Sequence, residues 1–430
     1  MSDHMPDEMP NQIPNQIQEK MQDKRQQFDI VISGGGMVGA SLAHALNGHG
    51  LRIAVIEAVQ ADTGQQPSYD DRAIALSYGS KRILDALGVW HSLQSYAEAI
   101  KDIHVSEQGQ FGFARLNARE ENVEALGYVV TARDLGQVLL KALPELADVT
   151  LFCPARLEAF HVNEKRIDID LADDNGQQLI SGALLIAADG GKSFVRTHLD
   201  IKVKEVDYQQ SAIISNLTPQ KDHQNIAFER FTGSGPVALL PMTQKRCALV
   251  YTVEAQDVEQ AMALSDQAFL DQLQTRFGYR LGKLGKLGKR QSYPLLLKQV
   301  EEHVRPRIAL IGNAAHAVHP IAGQGFNLGL RDVAVLAEVI NEAFKHGKDI
   351  GSLDVLSQYA DWRKKDHRNV MTATDSMVKL FSNPLSTVKI ARNLGILASD
   401  MIPGLRHLIS RQAMGLTGKQ PKLSRGLGLD

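Results

Sequence analysis

Phe28-Asp-Ile-Val-Ile-Ser-Gly-Gly-Gly-Met-Val-Gly39 leads into a stripe of Val38, Leu42, Ala45 and His49, and then into Leu51-Arg-Ile-Ala-Val-Ile56. The first apolar run reads as a buried strand, the stripe as one face of a helix, and the last run as a second strand. Strand, glycine turn, helix and strand in this order open a dinucleotide-binding βαβ unit. Gly34, Gly36 and Gly39 fit the G-x-G-x-x-G fingerprint, with Met37 and Val38 filling its two free places. The missing side chains permit the tight turn, the approach of a pyrophosphate and close helix packing. The helix start adds unpaired N–H groups and a partial positive charge. Glu57 ends the second strand eighteen positions past Gly39, where a carboxylate can accept hydrogen bonds from two ribose hydroxyls and would repel a 2′-phosphate. The fingerprint alone leaves NAD and FAD both open.

Around this unit lie 430 residues, 43% of them hydrophobic and 22% charged. At roughly 150 residues per domain, that length suggests two or three domains or one large α/β unit. With 47 Lys+Arg against 49 Asp+Glu the formal charge is -2, so composition carries no pull toward nucleic acid, and none is expected as a partner. Cys153 and Cys247 are the only cysteines. They form no C-x-x-C pair, which argues against a disulfide framework or zinc site and for a reducing cytoplasm. Residues 1–27 are polar and read as a disordered tail without a signal peptide. No run of 18 apolar residues offers a membrane-spanning helix.

Farther along, 103–130 alternates apolar and polar positions in the manner of antiparallel strands, and helical spacing returns from Asp134 to Leu143. Strand-like runs to 188 end in Leu184-Leu-Ile-Ala-Ala188, followed by Asp189-Gly-Gly-Lys-Ser-Phe-Val-Arg196. Asp189 thus falls at a strand's carboxyl end, the edge where such folds bind ligands, and Ser193 could cap a short helix. A second strand-rich block covers about 206–298. Its repeat Leu281-Gly-Lys-Leu-Gly-Lys-Leu-Gly-Lys289, with Arg280 and Arg290, reads as a solvated basic loop rather than a binding site. The chain then returns through Ile308–Ile311 to Gly312-Asn-Ala-Ala-His-Ala-Val-His-Pro-Ile-Ala-Gly-Gln-Gly-Phe-Asn-Leu-Gly329.

These three motifs, in this order, resemble the group A flavoprotein aromatic hydroxylases, which share the para-hydroxybenzoate hydroxylase fold. The resemblance covers about 28–380. It implies an α/β fold: a Rossmann-like FAD-binding domain in three parts (28–102, 131–205 and 299–383), with an inserted, mostly antiparallel substrate domain (103–130 and 206–298) and C-terminal helices. It implies further that the first motif holds adenosine and pyrophosphate. The third motif (Gly312, Asn313, Pro320, Gly323, Gln324, Gly325, Phe326 and Asn327) would lie along the ribityl chain and flavin ring. A physical reading agrees, since helix N-terminal amides there could stabilise negative charge on reduced flavin. Arg72, Arg133, Asp189 and Gly190 match positions this family places near the cofactor.

Asn313 stands where most of the family has Asp, a substitution familiar among its ubiquinone-pathway members. With Tyr69-Asp-Asp-Arg-Ala-Ile-Ala-Leu76, Phe228-Glu-Arg-Phe231 and Gly235-Pro-Val-Ala-Leu-Leu-Pro-Met242, it points the resemblance to that branch. The implied substrate is a polyprenylated phenol, 2-polyprenyl-6-methoxyphenol. NAD(P)H would reduce bound FAD, and O2 would give a C4a-hydroperoxide whose terminal oxygen attacks the ring. No residue is named as a catalytic base. A sister hydroxylase acting at another ring carbon, an NAD-dependent dehydrogenase and a non-catalytic flavin-fold subunit of a biosynthetic complex are the competing readings.

His316 and His319 form H-x-x-H, but no third ligand lies nearby in sequence, and no metal is expected. Trp90 and Trp362 are expected to pack in cores, and no G-x-S-x-G elbow suggests a serine hydrolase. From 384 to 430 seven Lys/Arg face two Asp. Ile390, Leu394, Leu397 and Met401 recur at helical spacing, so this segment reads as a basic amphipathic helical tail. It would pack on the flavin domain or offer a peripheral contact with the inner membrane or a partner of the ubiquinone-biosynthesis complex.

Overall fold

The computed structural model describes residues 25–60, 72–174, 176–317, 324–382 and 386–430. The chain starts with β1 (Gln26–Ser33), α1 (Met37–Leu46) and β2 (Ile53–Ile56). After β3 (Ala73–Ser77), α2 (Tyr78–Ala86) and β4 (Glu98–Ile100) come the hairpin strands β5 (Asp102–Glu107) and β6 (Phe113–Asn117). Next are β7 (Gly127–Thr131), α3 (Ala132–Lys141), β8 (Val149–Phe152), β9 (Ala155–Val162), β10 (Ile167–Asp173) and β11 (Gly176–Ala187). The insert comprises β12 (Val203–Pro219), β13 (Ile226–Thr232), β14 (Gly235–Met242), β15 (Arg246–Glu254), α4 (Asp266–Phe277), β16 (Leu284–Gly285) and β17 (Gln291–Val300). The chain ends with β18 (Val304–Arg305), β19 (Ile308–Leu310), β20 (His316–Ala317), α5 (Gln324–Lys345), α6 (Leu353–Ser382), α7 (Ser386–Met401) and α8 (Pro403–Ala413).

Three sheets result among the described residues. In the first, β19, β11, β1, β2 and β8 run parallel in that order. Their near-continuous apolar runs are what a sheet covered on both faces requires. α1 and α5 pack on one face through Leu42, Leu46, Leu330, Val333 and Ile340. The other face closes over Val31, Ile56, Leu185 and the β9–β10 layer. β1 begins at Gln26, whose register partner is Ile180. The strand therefore takes in the last residues assigned from sequence to the tail, of which residues 1–24 lie outside the described residues.

The second sheet has the order β20-β17-β12-β15-β14-β13-β5-β6, and only β5 and β13 are parallel neighbours. Side chains alternate between its faces. Phe228, Val237, Leu239, Leu249 and Tyr251 point outward to Phe269, Leu273 and Phe277 of α4. The opposite face carries Ala227, Ala248 and Met242 against Ile100 of β4 and Val129 of β7. β3, β7 and β4 form the third, small sheet between the two domains. The expected block 103–130 is therefore divided: β5 and β6 join the large sheet, whereas β7 pairs with β3.

Two other readings change. In the glycine-lysine repeat, Leu281 and Leu284 are buried in the α4 core while the lysines face solvent, so the repeat is a packed edge and not a free loop. The segment after 384 is not one unit either. Beyond α8 the chain returns to the first domain and buries Leu423 and Leu429 beside α5 and α2. Leu429 O accepts from Asn341 Nδ2 at 2.8 Å and from Lys345 Nζ at 3.0 Å. Trp90 packs against Tyr128, and the half-buried Trp362 gives its indole N–H to Lys419 O.

Candidate flavin site at the carboxyl edge of the parallel sheet

The loops after β1, β2, β11 and β19 leave the parallel sheet at one edge, the place where open α/β sheets bind ligands. Gly34 has φ +99°, and a Cβ there would lie 2.6 Å from Ala188 O. The first motif therefore sits directly on the start of the second. A Cβ on Gly39 would collide with Gly34 O, so the missing side chain lets α1 begin against its own loop. Gly36 precedes α1 and gives it no side-chain cap, and no acid occupies the first turn. The amides at that helix start are open to an anion.

Glu57 is buried, and its Oε2 and Oε1 accept from Gly35 N at 2.8 Å and Val59 N at 2.9 Å. Each carboxylate oxygen keeps a second lone pair. Asp189 Oδ2 accepts from Val195 N at 3.2 Å, while Asp189 Oδ1 is buried with no hydrogen-bond partner among the described residues. Burial pushes this carboxyl above its ordinary range. Ser193 caps the short helix 194–198 as expected. Arg196 Nη1 reaches Ala314 O at 3.0 Å, tying the second motif to the third. Gly190 has φ +84° and nothing within 4 Å of a Cβ.

The third motif meets the first through Val38, whose side chain would lie 3.1 Å from a Cβ on Gly312 and 2.9 Å from one on Gly329. Asn313 is exposed in this loop. Asn327 is buried, with Oδ1 accepting from Ser77 N at 2.9 Å and Nδ2 donating to Ala75 O at 2.8 Å. Its amide joins α5 to β3 instead of standing free for a ligand. Gly325 and Phe326 lie half-buried in the first turn of α5, and Gln324 begins that helix. Pro320, Gly323 and His319 lie outside the described residues.

Arg72 and Arg133, far apart in sequence, come together because β3 pairs with β7: Ala132 N donates to Arg72 O at 2.8 Å. The Arg72 guanidinium lies 5.0 Å from the centre of the Tyr293 ring on β17. It thus links the cofactor domain to the large sheet.

Beneath Gly312 is a cluster that sequence spacing does not reveal. Asp332 is fully buried. Its Oδ2 accepts from Gly312 N at 3.0 Å and pairs with His316 Nε2 at 2.6 Å; its Oδ1 pairs with His367 Nε2 at 2.8 Å and Arg363 Nε at 2.7 Å. His316, Asp332 and His367 have metal-ligand chemistry, and α5 and α6 supply the partners that H-x-x-H lacked. Both carboxylate oxygens are already engaged, one of them by a guanidinium that would repel a cation. The cluster is a hydrogen-bonded support for the Gly312 turn. Neighbouring cations hold the Asp332 carboxyl well below the usual range against its burial, and burial lowers His367 to about 3 and His303 to about 4.

Glu229 is the functional candidate that the sequence did not single out. It shares the inner face of the large sheet with Ala227, and its register partners are Val105 and Ala238. Among the described residues it has no hydrogen bond or ion pair, and desolvation raises its carboxyl to about 7. Tyr293 and Arg72 border the same face. The sequence signal of Glu229 was an acid on the same strand face as Ala227 and Phe231.

The buried, unpartnered Asp189 oxygen, the glycine cradle and the uncapped α1 start fit a dinucleotide along this edge. A family model described as "FAD binding domain" matches residues 27–374. The chain is 37% identical over 404 residues to ubiquinone hydroxylase UbiL of Rhodospirillum rubrum, covering 93% of each protein. It is 32% identical to the 3-demethoxyubiquinol 3-hydroxylase of Escherichia coli, covering 91% of this chain and 99% of that one. In structure it is similar to p-nitrophenol 4-monooxygenase PnpA from Pseudomonas putida, with TM-score 0.76 at 18% identity over 92% of this chain and 100% of that one.

Proposed function

The chain belongs to the FAD-binding-domain family, among the ubiquinone-biosynthesis hydroxylases, and from that premise we propose that it hydroxylates the ring of a polyprenylated phenol, 2-polyprenyl-6-methoxyphenol. It is an FAD-dependent aromatic monooxygenase, of a class that typically uses NAD(P)H and O2. Reduced FAD supplies the dioxygen chemistry that no side chain can. Gly34, Gly36, Met37, Val38 and Gly39 would hold the pyrophosphate, Glu57 the adenosine ribose, and Asp189 with Gly190, Gly312 and Asn313 the middle of the cofactor. The first turn of α5, with Pro320 and Gly323, would face the ring, and Arg72 and Arg133 would flank it.

One observation carries the substrate reading: an apolar sheet face with an unpaired carboxylate, Glu229, opposite the cofactor domain. An apolar wall suits a prenylated ring and excludes water. Glu229 accepts the phenol proton: the substrate O–H bond breaks, a new O–H bond forms on the carboxylate, and the phenoxide left behind is a stronger ring nucleophile. The charged groups bordering that face are the Glu107–Arg392 pair, Arg246, Arg72 and the Tyr208–Asp375 pair.

Lipid access is part of the proposal. No helix among the described residues is long and apolar enough to cross a membrane, but Met401 is 71% exposed and Leu408 59%, with Ile402, Leu405 and Ile409 beside them. This ridge on α7 and α8 would meet a bilayer surface or a partner protein of the pathway.

In a strain lacking the gene, 2-polyprenyl-6-methoxyphenol should accumulate and disappear when the wild-type chain is restored. If that intermediate does not accumulate, the substrate assignment is wrong. Glu229→Gln should keep its flavin, lose the acid limb of activity near pH 7 and turn over about 10²-fold more slowly. A wild-type pH profile in this variant would remove Glu229 from the chemistry while leaving the substrate assignment intact.

A further inference from the structure

On the outer face of the large sheet, turned away from the flavin edge, lies a cleft of about 670 Å³ lined by His104, Arg115, Lys221, Phe228, Arg280 and Leu281, among others. That volume suits a small-molecule ligand. Register puts His104 beside Phe228, on the face that packs against α4. Its ring lies 5.6 Å from Phe113 and 6.0 Å from Phe228, is 5% exposed, and leaves Nε2 buried with no hydrogen-bond partner among the described residues. A buried polar atom without a partner is uncommon and costly in a native fold.

The charges around this ring are mostly positive: Arg115, Arg230 and Arg280 act on it against one carboxylate, Asp400, whose Oδ1 accepts from Arg115 N at 2.9 Å. Arg115, Lys221 and Arg280 form no ion pair among the described residues. Arg115 instead lies with its guanidinium 4.6 Å from the Phe113 ring centre. Arg230, on the same strand face, gives Nη1 to Phe277 O, and its Nε is also buried without a partner. The two acids at the cleft are already engaged: Asp102 accepts from Asn117 Nδ2, and Asp222 accepts from Gln224 N and pairs with Lys245. Burial first, and then Arg280, Arg115 and Arg230, lower His104 to about 4 against the opposing effect of Asp400, and Arg115 and Arg230 each repel Arg280. Nothing in the fold requires unpaired guanidiniums to converge on a buried imidazole, and an anion would relieve all of them together.

We infer that this cleft is a second ligand site, separate from the flavin edge, that binds a phosphate group through Arg115, Arg280 and Lys221. Guanidinium forks match phosphate oxygens in shape and charge. Ile226, Phe228 and Leu281 give the rest of the ligand an apolar floor. The same chemistry would take a soluble phosphate ester or a phospholipid headgroup. The inference does not rest on the substrate proposed above.

Titration of the full-length, FAD-loaded protein with inorganic phosphate, adenosine monophosphate and phosphatidylglycerol vesicles, followed by calorimetry, tests it. Saturable binding is expected to at least one probe, weakened at least about tenfold in the Arg115→Ala/Arg280→Ala variant at unchanged flavin content. Binding of the soluble probes that the double variant loses assigns the site to a free phosphate ester, and vesicle binding alone that the double variant loses but Met401→Glu/Leu408→Glu keeps assigns it to a headgroup. The proposal is overturned if no probe binds, if the double variant binds as tightly as wild type, or if a polyglutamate peptide binds where no phosphate does.

Discussion

Asp332 shows how one buried carboxylate can shape a cofactor loop without touching the cofactor. Gly312 has φ +57°, a conformation that side-chain-bearing residues rarely adopt. Its amide is fixed by Asp332 Oδ2, whose charge is balanced by Arg363. His367 and His303 extend the cluster, with His367 Nδ1 3.1 Å from His303 Nε2. Burial keeps both rings neutral in the folded protein down to about pH 3 and 4, whereas in the unfolded chain they protonate near 6.5. Between those limits the unfolded state binds more protons. Their contribution is therefore complete above about pH 6.5 and is lost as the pH falls toward 3 to 4. The depressed Asp332 carboxyl acts in the same direction below its ordinary range. Urea melts of the flavin-free protein should lose stability from pH 6.5 downward, with His367 contributing at most about 1.4 kcal/mol per pH unit. His367→Gln should flatten that slope, and an unchanged slope would show that the imidazole does not titrate as described.

Between elements, the decisive bonds are those that attach C-terminal helices to the large sheet. Arg392 on α7 is buried against Glu107 of β5, with Nε 2.9 Å from Oε2 and a second bond from Nη2 to Oε1, and its Nη1 caps Leu380 O of α6. One side chain thus joins three elements. Arg392→Met would leave Glu107 charged, buried and unpaired, at a cost of about 3 kcal/mol in a denaturant melt. Adding Glu107→Gln should restore most of that loss; if it does not, packing and not charge holds α7 in place. This pair also marks the limit of sequence reading. β1, α1 and β2 were legible because strand, turn and helix follow one another and state their periods locally. Glu57, Asp189 and Gly312 were legible as the residues just after strands. Glu107 with Arg392 is a pairing 285 residues apart, Asp332 with His367 joins two separate helices, and the inward aim of Glu229 depends on a register that alternation alone does not fix. The motif singled out Asn327, but the bonds of its amide to β3 were not legible, because nothing local indicates that pairing.

At the scale of the molecule, the C-terminal segment combines two roles that a charge count merges. Of its seven basic residues, Arg392 is buried in an ion pair, Arg406 pairs with Glu120, Lys422 with Glu342, and Lys419 sits over Trp362. Most of the +5 excess is therefore used within the fold, and attraction to an anionic surface is weaker than composition suggests. What α7 and α8 leave for a bilayer is the apolar ridge of Met401, Ile402 and Leu408. Residues 414–430, by contrast, complete the first domain. Met414 O accepts from Gly79 N at 2.8 Å, Lys422 N donates to Glu338 at 2.6 Å, and Leu423 and Leu429 are buried in the core behind the flavin loops. Truncation after Ala413 would expose that core and should lower both thermal stability and flavin retention. Met401→Glu/Leu408→Glu touches only exposed positions, so it should leave stability and flavin content at wild-type values while reducing vesicle flotation several-fold. Flotation unchanged in this variant would place the lipid entrance elsewhere, and flavin loss equal to that of the truncation would show that the ridge belongs to the folded core. Because the two changes affect separate surfaces, their effects should add in a combined variant.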